Sequence, residues 1–154
     1  MNNIIEPQRR HTRWIGRLAT NRRTRIIAAV LTGFCGLVAL VSAVGKLTNQ
    51  GAVVELLDHV EVHGRLRDLL PVLQIAGGLG ALTSLVRYPK LGLAALSGLA
   101  VYFAGAVIAH LRVGDGAADI AIPLGYVLVM SITAALRGAT SPYHQRHKTP
   151  EETR

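Results

Sequence analysis

Lys46, Gln74, His110 and Arg112 are the residues through which this sequence could do chemistry. Its long apolar stretches contain no Asp, Glu, Lys or Arg, and Gln74 and His110 are the strongly polar side chains within them. Lys46 closes the first stretch, Gln74 lies early in the second, and His110 ends the third, followed by Arg112, Gly114 and Asp115. If the stretches cross a bilayer in alternating directions, all of these residues fall at similar depth. A polar group left alone in hydrocarbon costs several kcal/mol, so each must face a partner. Two arrangements satisfy that need. In one, the groups form a latch between three helix ends, with Lys46 snorkelling to water. In the other, Lys46 and His110 hold an anionic or quinone-like headgroup, and Gln74 bonds its carbonyl.

Other chemistries find less support. A b-type haem requires paired axial histidines within the bilayer, and only His110 lies in a stretch. His59 and His63 stand one helical turn apart, with Glu55 a turn before, but a further ligand is missing, so no metal site is expected. Cys35 is the single cysteine and sits in the middle of the first stretch. It excludes an intramolecular disulfide or dithiol relay and is expected to be a small packing residue. No catalytic residue is assigned, since the sequence shows no nucleophile–base pair, dinucleotide loop or metal cluster.

The elements that must position these residues are four apolar runs: Ile26–Val44, Leu69–Val86, Leu91–Leu111 and Ile120–Leu136. They are about 17 to 21 residues long, against the roughly 20 that a spanning helix needs. Four such runs in 154 residues leave too little chain to cover them. The expected fold is therefore an all-α, multi-pass membrane protein: an antiparallel bundle of four transmembrane helices over residues 26–137.

The net charge of +8 assorts by side. Arg9, Arg10, Arg13, Arg17, Arg22, Arg23 and Arg25 precede the first run, Arg87 and Lys90 lie in the second loop, and Arg137, Arg146, Lys148 and Arg154 follow the last. The opposite side carries Lys46, Arg65, Arg67 and Arg112 beside Glu55, Asp58, Glu61, Asp68, Asp115 and Asp119. Because positive residues stay cytoplasmic, both termini are expected inside. Residues 1–25 form an Arg-rich tail and 138–154 a basic one, both expected to be mobile. The basic residues are not interleaved with stacking aromatics, so a nucleic-acid partner is not expected. Anionic lipid headgroups at the Arg-rich tail are, at about 1 kcal/mol per basic residue. Asn21-Arg22-Arg23 loosely resembles a twin-arginine signal, but the apolar run is too long, so the first helix is read as uncleaved.

Small residues recur at four-residue spacing: Ala29 and Gly33, Ala39 and Ala43, Gly77 and Ala81, Gly80 and Ser84, Ala94 and Gly98. In lipid such faces let helices approach closely. In the first outer loop, Val53, Leu56, Leu57 and Val60 follow helical spacing, which predicts a short amphipathic helix with Asn49 as N-cap and Gly64 as its stop.

Taken in order, Gly45-Lys46-Leu47, Gln74-Ile-Ala-Gly77-Gly-Leu-Gly80-Ala-Leu, Gly105-Ala106 and His110-Leu-Arg112-Val-Gly114-Asp115, with a last span near Pro123, resemble the DoxX-like family over about Arg25 to Arg137. The resemblance implies a small four-helix protein of the bacterial plasma membrane. Its relatives are linked to thiosulfate:quinone oxidoreductase subunits and to membrane complexes with oxidative-stress enzymes, and a distant animal branch assists receptor assembly. It implies roles for Lys46 and for the His110–Arg112 segment. Gln74 departs from it, since relatives commonly carry Glu there, and the substitution removes a carboxylate that could carry a proton. The function expected is that of an accessory subunit or scaffold of a membrane redox or stress complex, without cofactor or catalysis of its own. The alternatives are a quinone-linked redox subunit that binds a quinone or lipid near Lys46, Gln74 and His110, and a small-molecule carrier.

Overall fold

Asn21 opens the first helix. Its Oδ1 accepts a hydrogen bond from the Arg23 amide at 3.0 Å, a side-chain cap that satisfies one of the free N–H groups of the first turn. Helix α1 (Arg22–Leu47) therefore starts ahead of the apolar run and carries Arg22, Arg23 and Arg25 in its first turn. The computed structural model describes residues 21–140. The tail residues 1–20 and 141–154, where mobility is expected, lie outside the described residues. The remaining helices are α2 (Gly51–His59), α3 (Arg65–Val86), α4 (Pro89–Arg112) and α5 (Ala117–Thr140). The four long ones are each apolar and long enough to cross a membrane.

These four form a closed ring in which α1 packs on α3, α3 on α4, α4 on α5, and α5 returns to α1. The centre is a cluster of Cys35, Ala39, Ala81, Leu96, Leu99, Phe103, Met130 and Ala134. Outside it the surface is apolar: Val30, Val41, Val101 and Ile122 are each more than 60% exposed, as suits a bundle surrounded by lipid. Hydroxyls within the spans bond back to their own helices, as Thr32 does to the Ala28 carbonyl at 2.6 Å and Thr133 to Val129 at 2.6 Å. That leaves them satisfied without water.

The backbones of α1 and α3 approach closely. A Cβ on Gly36 would stand 3.1 Å from the Gly78 carbonyl oxygen, and one on Gly78 would stand 2.9 Å from the Gly36 carbonyl oxygen. Ala39, Ala43, Ala81 and Ser84 are buried, as their small size and spacing lead one to expect. Ala94 and Gly98 are not: both are exposed, and nothing lies within 4 Å of a Cβ built on Gly98. The face that α4 presents to α3 is instead Gly92, Ala95 and Leu99. Four-residue spacing identifies a face that permits close approach but does not say that a neighbour uses it.

Three helix ends at the α2 end of the bundle close in the same way. After α1, Gln50 N bonds Gly45 O at 3.1 Å and Asn49 N bonds Lys46 O at 3.3 Å. After α2, Val62 N bonds Leu57 O at 2.9 Å and Glu61 N bonds Asp58 O at 3.1 Å. After α4, Asp115 N bonds His110 O at 3.1 Å and Gly114 N bonds Leu111 O at 3.3 Å. Each is a paired C-terminal cap with its turning residue at positive φ: Asn49 at 50°, Glu61 at 58° and Gly114 at 78°. Asn49 is therefore the end of α1 and not the N-cap of α2, a place held by Gln50. Gly64 does not stop α2, which ends at His59, but precedes α3 as its N-cap.

Candidate functional site

The turn at Gly114 sets the chemistry of the α2 end. Its left-handed backbone reverses the chain beyond α4, so that Asp115 comes back over the last turn and its Oδ2 lies 2.6 Å from His110 Nδ1. The other oxygen, Oδ1, lies 2.7 Å from His59 Nε2 at the end of α2. An ionised carboxylate only accepts, so both ring nitrogens that face it carry hydrogens. Asp115 thus joins three segments, and its side chain is only 10% exposed. Its hydrogen bonds to His59 and His110 hold its carboxyl below the usual range, and the bond to Asp115 raises His59 above its ordinary value. A second pair, Arg67 to Asp58 at 2.8 Å, ties α3 to α2.

On α1, Ser42 is the shared acceptor for two side chains expected to act together. Lys46 Nζ donates to its Oγ at 3.0 Å, and Gln74 Nε2 donates to the same atom at 3.0 Å. Lys46 is one turn beyond Ser42 on the same helix face, and α3 brings Gln74 alongside. Gln74 is fully buried, and its Oε1 has no partner among the described residues. Exchanging the amide oxygen and nitrogen would send the donors in one direction, from Lys46 to Ser42 to Gln74, and would move the orphan to the nitrogen. Either way one amide atom of a buried glutamine is unmatched.

Between these two groups lies a cavity of about 500 Å³. Its walls are apolar, from Leu56, Leu57, Val60, Leu66, Leu70, Phe103, Ala106, Ile122 and Pro123. Its polar lining comes from Ser42, Lys46, Glu61, Tyr102, His110, Arg112, Asp119 and Tyr126. Phe103 stacks against Tyr126 at 4.8 Å between ring centroids and meets Tyr102 edge-on at 5.1 Å, which gives the cavity an aromatic wall. This size and this mixture of apolar lining with a few convergent polar groups suit a small amphiphile.

Of the four residues singled out from the sequence, Lys46, His110 and Arg112 line this one cavity. Gln74 does not; it supports Lys46 from behind through Ser42. His63 is exposed, and His59 is drawn to Asp115 and not toward Glu55. Among the described residues no cluster of His, Cys, Asp and Glu is arranged to hold a metal ion. Cys35 is buried, with its Sγ 3.9 Å from Thr133 Oγ1. Sequence reasoning missed Ser42 and Tyr102 as site residues, although the four-residue step from Ser42 to Lys46 was a usable signal.

In comparison with known proteins, the profile described as the DoxX-like family matches residues 30–134. That segment contains Lys46, Gln74, His59, His110, Arg112 and Asp115. No curated protein and no solved structure gives a match to the chain.

Proposed function

The chain belongs to the DoxX-like family, and from that premise we propose that it is an accessory integral-membrane subunit that holds an amphiphile beneath α2. The observation that carries this reading is the cavity, in which a largely apolar wall meets Lys46, His110 and Arg112. Lys46 and Arg112 supply positive charge to an anionic or carbonyl-bearing head of quinone type. With Nδ1 engaged by Asp115, His110 has Nε2 left for the ligand. The aromatic wall of Tyr102, Phe103 and Tyr126 accepts a flat ring, and apolar residues receive a tail. The chain's contribution is to bind and orient. Electron or proton transfer belongs to a partner subunit, in keeping with an amide at Gln74, where the family resemblance implies that a carboxylate is common.

The charge distribution favours an orientation with α2 outside and both termini in the cytoplasm, and the family resemblance implies a bacterial plasma membrane. Gly51→Cys tests the orientation, since Gly51 is exposed with open space around its Cβ, and Cys35 is 1% exposed. In intact cells a membrane-impermeant maleimide is expected to label it; labelling only after lysis reverses the orientation.

The decisive experiment is native mass spectrometry of protein gently extracted from its own membrane. A bound quinone or lipid that is lost in Lys46→Ala supports the ligand reading. An empty bundle that always carries a protein partner leaves a scaffold without a ligand.

A further inference from the structure

At the opposite end of the bundle, four arginines from three helix ends converge on a recess of about 550 Å³. Arg22 and Arg25 come from the first turn of α1, Arg87 caps α3, and Arg137 rises from the last turn of α5. We infer that this recess binds the phosphate of an anionic phospholipid, a site separate from the cavity under α2 and independent of the reading given for it.

Arg137 is the built part of the site. Its Nη2 donates to the Ser84 carbonyl at 2.9 Å and to Ser84 Oγ at 2.8 Å, while the Ser84 hydroxyl donates its own hydrogen to Ala81 O at 2.6 Å. Gly92 makes room for this arrangement, since a Cβ there would stand 2.6 Å from Ser84 Cβ and 3.3 Å from Arg137 Nη2. One nitrogen of the guanidinium is thus fixed by neutral groups, which orient it without cancelling its charge. Nε and Nη1 keep their hydrogens for a ligand. No carboxylate lines the recess, and among the described residues none of these four arginines forms a salt bridge. Planar guanidiniums with unspent donors match phosphate oxygens in geometry as well as charge.

The apolar part of the lining selects the source of that phosphate. Ile26, Leu85 and Val86 border the same recess and are 52%, 40% and 92% exposed. A soluble phosphate would leave them uncovered, whereas a phospholipid brings an acyl chain to the place where the arginines hold its head. Basic pockets between helix ends at a membrane face take lipid headgroups in this way.

The test uses the full chain in neutral phosphatidylcholine nanodiscs, titrated with phosphatidylglycerol and read by thermal unfolding and native mass spectrometry. Phosphatidylglycerol is expected to raise the unfolding temperature and remain bound, with affinity falling about fivefold for each arginine removed. Arg137→Gln disturbs the packing around Ser84, so the main variant is Arg25→Gln with Arg87→Gln, both exposed. It is expected to unfold like the parent without phosphatidylglycerol and to lose most of the gain with it. Arg9→Gln with Arg10→Gln removes the same charge from the segment that precedes the described residues and, on this assignment, is expected to lose much less. Equal losses in the two double variants would mean charge attraction without a site and would overturn the assignment, as would an unchanged response of the first. If soluble glycerol phosphate alone reproduces the stabilisation, the recess takes a free phosphate and the lipid assignment falls.

Discussion

His59 and Asp115 are 56 positions apart in the chain, yet their side chains meet at 2.7 Å. The contact fastens α2 to the turn between α4 and α5, and so holds the cover of the cavity to its far wall. The raised His59 contributes stability that is fully present below its ordinary value of 6.5 and is lost as pH rises through the raised value. The lowered Asp115 contributes stability present above its ordinary 3.8 and lost as pH falls through the lowered value. Protection of the α2 amides against hydrogen exchange is therefore expected to be greatest between about pH 4 and 6.5 and to decline on the alkaline side. His59→Gln should abolish the alkaline decline; an identical profile in that variant would show that the pair does not hold α2.

Ser42 is hydrogen-bonded to both Lys46 and Gln74, so its loss removes a partner from each. Ser42→Ala is expected to lower stability in detergent by about 1–3 kcal/mol, since a buried donor without a partner carries its full desolvation cost. Unfolding at the same denaturant midpoint as the parent would show that Lys46 and Gln74 find other partners.

The glycines offer a paired comparison. Gly36→Ala places a methyl 2.9 Å from Leu82 Cγ and 3.1 Å from a backbone oxygen that cannot move aside cheaply. It is expected to cost about 1–3 kcal/mol. Gly98→Ala meets open space and is expected to stay within about 0.5 kcal/mol of the parent. Equilibrium unfolding in mixed micelles separates the two, and equal costs would contradict the Gly36–Gly78 crossing.

Gly105 lines the cavity, and a Cβ there meets nothing within 4 Å. Gly105→Phe is therefore expected to leave helix content and unfolding temperature near those of the parent while excluding the bound amphiphile. Retention of the ligand in native mass spectrometry would place it elsewhere.

Much of this was legible in the chain. Length and apolarity alone give the four spanning helices, and polarity at equal depth brings Lys46, His110 and Arg112 to one cavity. The clasp from His59 to Asp115 was not legible, because it depends on the path of the chain through two tight turns and not on the period of any helix. Asn49 misled for a related reason: asparagine serves both as an N-cap and at the left-handed position that ends a helix, and only the backbone distinguishes them. Ala94 and Gly98 show the limit of spacing, since in lipid an outward-facing small residue has little cost.

The close backbone approach of Gly36 and Gly78 lies at mid-length of α1 and α3, between the two recesses. The two recesses open at opposite ends of the bundle, without a lining residue in common. The waist between them is filled by Cys35, Ala39, Ala81, Leu96, Leu99 and Met130. A molecule seated in one chamber reaches the other only if that waist comes apart. On the two proposals made above, the bundle offers two receptacles back to back, separated by a packed waist.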